Sequence, residues 1–234
     1  MDVILASLAI VALLIVISLR KAIYLNIIRI VYGYYSLRYI KKFKKFTRKK
    51  PHPYCFKDDF YYHILAVKKA LACPQTYTTK KNILFDEMNF GKAFKQVIKE
   101  NGRADCYTMS DEQGFPLKVA GYKSRMFHSN EKTLMYFCGN KYFMGEYVFS
   151  NLANETPNLL IKKLQDDYQV DIQYAKNFTI KDPANNTIYF TDTGFFLSLK
   201  FFNSDNNMIK SILKFTNNDD EIKTGTRELH NLNC

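Results

Sequence analysis

Between Asp2 and Asp58 the chain carries no acidic residue, and inside that interval an uncharged apolar run gives way to a basic one. Val3–Leu19 reads VILASLAIVALLIVISL, with Ser7 and Ser18 its only polar side chains. Eleven cations follow: Arg20, Lys21, Arg29, Arg38, Lys41, Lys42, Lys44, Lys45, Arg48, Lys49 and Lys50. A helix needs roughly 17 apolar residues at the least to cross a bilayer core. A cleaved leader would place cations ahead of the apolar run and small residues at its end. Here only Met1-Asp2 precede the run, and Leu19-Arg20-Lys21 close it. Residues 1–21 are therefore read as a transmembrane signal anchor.

Lys and Arg concentrate on the cytoplasmic flank of a spanning helix. All eleven cations lie on the C-terminal flank, which predicts a single-pass membrane protein with its N-terminus translocated and its body cytosolic. The five cysteines, Cys55, Cys73, Cys106, Cys138 and Cys234, show no framework spacing, in keeping with a reducing compartment. Residues 22–50 are read as a basic aromatic juxtamembrane helix. Tyr24, Tyr32, Tyr34, Tyr35 and Tyr39 suit the zone where headgroups meet water, and the eleven cations form a membrane-surface binding set for a bilayer with anionic headgroups. Nucleic acid is disfavoured as a partner, because residues 51–234 hold 23 basic and 21 acidic side chains and are close to neutral.

The remaining chain reads as α+β. Residues 51–88 predict a helix from Phe60 to Leu71, stopped by Pro74, and a linker. Two units then repeat one pattern, a helix followed by four antiparallel strands. In the first, residues 89–150, Asn89 caps a helix over Phe90–Lys99. Strands follow near Ala104–Met109, Leu117–Tyr122, Thr133–Cys138 and Lys141–Phe149, the last two joined by a type II′ turn at Gly139-Asn140. In the second, residues 151–215, Thr156 caps a helix with Pro157 at its first position. Strands follow near Val170–Asp182, Thr187–Asp192, Phe195–Phe202 and Met208–Phe215. The alternative is one mixed domain with a longer continuous sheet. Residues 216–234 form a polar tail.

The chemistry-bearing motifs are sparse. No Gly-x-x-x-x-Gly-Lys, Gly-x-Gly-x-x-Gly or Gly-x-Ser-x-Gly occurs. Cys138 with His128 could be drawn as a nucleophile and base. His52, Cys55, His63 and Cys73 offer only one close pair where structural zinc wants two. The adjacent carboxylates, such as Asp86-Glu87, point apart on any regular element. No catalytic residue, cofactor or metal site is assigned. Both faces of the first unit's last hairpin are apolar, so Met135, Tyr136, Tyr142, Phe143 and Tyr147 are candidates for a partner-binding face. The functional expectation is a non-catalytic membrane-anchored protein whose α+β body binds a protein partner, as an accessory subunit or immunity-type inhibitor. The alternatives are a membrane-surface enzyme without a recognisable motif and a module that binds lipid or a small ligand.

Overall fold

The computed structural model describes residues 19–47, 60–110, 116–211 and 213–214. Six helices occur among them: α1 (19–32), α2 (Leu37–Thr47), α3 (Phe60–Leu71), α4 (Phe94–Asn101), α5 (Thr156–Tyr168) and α6 (207–211 with 213–214). Eight strands form one mixed sheet: β1 (Thr76–Thr78), β2 (Cys106–Ser110), β3 (Leu117–Met126), β4 (Ser129–Cys138), β5 (Lys141–Ser150), β6 (Asn177–Lys181), β7 (Asn186–Asp192) and β8 (Phe196–Asn203). Their spatial order is β1-β6-β7-β8-β5-β4-β3-β2. Only β1–β6 is parallel; the other pairs are antiparallel.

The expected two-unit architecture is corrected. The meanders β2–β5 and β6–β8 are not separate sheets, because β8 pairs along β5 from Met144↔Phe202 to Ser150↔Phe196. The second meander has three strands. The segment expected as its fourth, Met208–Phe215, is helical over its described residues. Asn206 accepts a hydrogen bond from the Met208 amide at 2.8 Å and turns the chain into α6. Ile209 and Leu213 then lie four residues apart on one helical face and pack under the sheet.

The transmembrane reading is also corrected. Among the described residues no helix is long and apolar enough to cross a membrane. The expected span Val3–Leu19 lies outside the described residues apart from Leu19. The single-pass, signal-anchor assignment is therefore not carried further, nor is the topology derived from it. The single juxtamembrane helix expected over 22–50 is instead two helices folded against each other. Gly33 adopts φ +84°, and its amide bonds the Arg29 carbonyl at 2.9 Å, ending α1. Ser36 Oγ accepts from the Tyr39 amide at 3.2 Å and starts α2. Tyr24 meets Phe46 edge-on at 5.7 Å between ring centroids, and the Arg38 guanidinium lies 4.6 Å from the Tyr32 ring centroid. Ile40 carries α2 into the core, and Arg103 donates to the Tyr32 carbonyl at 2.6 Å. This hairpin belongs to the folded body.

The sheet separates two cores. On the first face, α4, α5 and the loop around Ile83, Phe85 and Met88 cover Met135, Phe137, Tyr142 and Phe149 of the first meander and Phe178, Ile188, Phe190 and Leu197 of the second. Gly145 is required here, because a Cβ would collide with the Phe85 ring. On the second face, Val67 and Ala70 of α3 and Ile209 of α6 pack near Leu117, Val119, Leu134, Tyr136, Met144, Tyr189 and Phe202. A bulge between Tyr136 and Phe137 shifts the β4–β5 register, so that Tyr136 faces Met144 and Phe137 faces Tyr142. Met144 and Tyr142 consequently stand on opposite faces.

Cys106, on edge strand β2, is disulfide-bonded, whereas Cys73 and Cys138 are free.

Candidate functional site

The residues expected to present a partner-binding face lie inside the chain. Met135, Tyr136, Tyr142 and Phe143 are buried, and Tyr147 is half-buried. The Tyr147 hydroxyl donates to Asp86, and burial raises the Asp86 carboxyl above its ordinary range. The Cys138–His128 pair is not formed. The two residues lie at opposite ends of β4, about 30 Å apart at the rise of an extended strand. Burial also pushes the Cys138 thiol up, away from the reactive thiolate. Among the described residues no group of three His, Cys, Asp or Glu could hold a metal; His52 and Cys55 lie outside them. Of the cationic set, Arg20, Lys21, Arg29, Arg38, Lys41, Lys42, Lys44 and Lys45 sit on the α1–α2 hairpin, and Arg48, Lys49 and Lys50 lie outside the described residues.

The register brings together a different set. Phe127 and His128 occupy a two-residue turn at φ +49° and +57°, so that Met126 faces Ser129 and each earlier pair follows. Lys123 then stands opposite Lys132, and Arg125 opposite Asn130. Reading on through β5 and β8 gives two complete rows on the second face. One is Lys123, Lys132, Val148, Ser198; the other is Arg125, Asn130, Ser150, Phe196. Neighbours within a row are about 4.8 Å apart between strands, and the rows lie about 6.8 Å apart along them.

These rows are open only in part: Val148 is half-buried against the second core and Ser198 is buried. Lys123, Arg125, Asn130 and Phe196 are exposed, and Lys132 and Ser150 half-buried. A groove of about 620 Å³ is lined by Lys123, Arg125, Asn130, Lys132 and Ser150, together with Ser124 and Glu131. Glu131 belongs to the other face, where its carboxylate accepts from Ser124 at 2.7 Å and Thr133 at 3.1 Å. A second hollow, sharing Arg125 and Asn130, continues past Met126, Phe127, His128 and Asn151. Among the described residues no carboxylate lines it. The turn that shapes it is tied to α5. The Thr156 hydroxyl, expected as a helix cap, instead meets Ser129 Oγ at 2.9 Å and the Phe127 carbonyl at 3.3 Å.

At the boundary between the covered and open rows sits a buried ion pair. The Glu146 carboxylate accepts from Tyr136 at 2.7 Å, from Ser198 at 2.6 Å and from the Lys200 ammonium. Both charged side chains are buried. By contrast, no ion pair is described for Lys123, Arg125 or Lys132. Like charges directly opposite on an antiparallel pair destabilise it. The arrangement therefore offers three cations and neutral hydrogen-bonding side chains to an anion from solvent, beside one buried carboxylate, Glu131, that Ser124 and Thr133 already hold. No protein-family model matches the chain, and no curated protein or solved structure matches it either.

Proposed function

We propose that the chain is a non-catalytic binding module that holds an acidic segment of a protein partner on the open half of its sheet. The observation that carries this reading is the Lys123–Lys132 pair, with Arg125 two residues along the same face and no described ion-pair partner for any of the three. An extended peptide repeats its side-chain direction every two residues, about 6.8 Å. That is the separation of the Lys123 and Arg125 rows, so alternate acidic side chains of a strand-like segment meet successive rows. Asn130 and Ser150, in the Arg125 row, are partners for peptide groups. A single-stranded nucleic acid would want aromatic rings interleaved with the cations. Phe196 is the only aromatic on the two rows and stands at the far end from Arg125.

The test is fluorescence anisotropy of the full-length protein with a labelled Glu-rich peptide and an oligothymidylate of equal charge. The peptide binds at low salt, and Lys132→Glu weakens it about tenfold or more, an effect that salt diminishes. Binding of the oligonucleotide alone would replace the reading with a nucleic-acid one. Binding of neither probe, or peptide binding that Lys123→Glu, Arg125→Glu and Lys132→Glu all leave unchanged, would remove the site.

A further inference from the structure

We propose that the solvent face of the α1–α2 hairpin docks on a lipid surface bearing anionic headgroups, lying along it rather than crossing it. This rests on a part of the molecule separate from the sheet groove. Leu19, Ile23, Ile27, Ile30 and Val31 are exposed, Ile30 at 79% and Val31 at 63%. At 3.6 residues per turn they fall within about 120° of the circumference of α1. The opposite side of that helix carries Ile28, which is buried. The apolar stripe is thus a face left over after the helix has packed.

Its surroundings fix the occupant. Residues 19–47 contain no Asp or Glu, while Arg20, Lys21, Arg29, Lys41 and Lys45 are all exposed. Tyr24, Tyr32 and Tyr35 are exposed as well, and Tyr rings favour the headgroup layer. An exposed apolar stripe flanked by cations and tyrosines is the signature of a helix lying in a bilayer interface. A protein partner matched to it would have to be apolar along the stripe and acidic on both flanks. An anionic leaflet has that profile at every point, with acyl chains beneath negative headgroups.

The chain has no tryptophan, so Ile30→Trp in the full-length protein gives a single local probe, and Ile23→Trp gives a second. Binding through a segment remote from α1 does not register on either. With vesicles containing roughly a third phosphatidylglycerol in phosphatidylcholine, the emission moves to the blue and is quenched by brominated acyl chains. Removing Lys41 and Lys45 as glutamines lowers vesicle affinity by roughly fivefold per charge. A Phe195→Trp control, at a residue 88% exposed in the β7–β8 turn, keeps its aqueous emission. An unchanged Ile30→Trp spectrum on anionic vesicles overturns the proposal. So does a shift of equal size on purely zwitterionic vesicles, or a blue shift without vesicles that grows with protein concentration, which would place a second copy on the face. Unchanged far-ultraviolet dichroism and thermal midpoint confirm that each variant is folded.

Discussion

On strands β3, β4, β5 and β8, two rows of side chains lie beneath α3 and α6, and two more rows on the same face reach solvent at their β3 and β4 ends, while Val148 is half-buried and Ser198 buried. The covered rows are Val119, Tyr136, Met144, Phe202 and Gly121, Leu134, Glu146, Lys200; the open ones begin with Lys123 and Arg125. The covered half is apolar apart from one ion pair, and that pair has partners on both sides: the carboxylate takes Tyr136, Ser198 and Lys200. The open half holds three cations and no described ion pair. Burial forces charge to be matched within the chain. Where solvent screens the charges, the chain tolerates unmatched ones, and those become available to a ligand.

The contrast is broken most severely at its boundary. Lys200→Met leaves Glu146 buried without its ammonium and costs about 3–5 kcal/mol in urea unfolding. The Glu146→Gln, Lys200→Met double variant recovers most of that loss, since both charges are then gone. A single variant within about 1 kcal/mol of the parent would show that the pair is not desolvated. Next in size is the difference in packing. Leu134→Ala under the helices costs about 2–4 kcal/mol by cavity formation, whereas Lys123→Ala at the exposed end of the open row costs less than about 1 kcal/mol. Equal losses at the two sites would mean that the open row is covered too. Smallest, and opposite in sign, is the effect of Lys132→Gln. Relief of the repulsion from Lys123 raises stability by a few tenths of a kcal/mol, while affinity for the acidic peptide falls. Loss of stability together with affinity would make Lys132 a structural residue.

Much of the framework was legible locally. The first meander, the β4–β5 turn and α5 follow from alternation, Gly139-Asn140 and Pro157, although positive φ at both Gly139 and Asn140 makes that turn type I′ rather than II′. The continuity of the sheet was not legible, because nothing near β5 announces β8 some fifty residues later. α6 was misread because Met208, Ile209 and Leu213 fit a short strand or a helix about equally well. Only the Asn206 cap favours the helix.

The site was hidden for a different reason. Lys123 and Lys132 are nine residues apart, and they become neighbours only if Phe127-His128 is a two-residue turn. Such turns favour Asn and Gly, which accept positive φ readily; a Phe-His pair in that conformation carries no sequence signal. Likewise, the aromatic hairpin was rightly seen as apolar on both faces. Its burial depended on α3, α4, α5 and α6 arriving from distant parts of the chain.

The parallel pairing of β1 with β6 has a consequence for the order of assembly. Thr76 pairs with Thr179, across a hundred residues. The meander from β2 to β5 can close by local contacts as soon as it leaves the ribosome, since each strand follows its neighbour through a short link. β1 has no partner until β6 exists, and the face that Val67 and Ala70 cover is incomplete until Tyr189, Phe202 and Ile209 have been made. The segment synthesised before the sheet is thus among the last to be seated. During elongation β1 stays tethered to a growing sheet that it cannot yet join, while α3 can cover only the part of its face that the first meander supplies until Tyr189, Phe202 and Ile209 arrive.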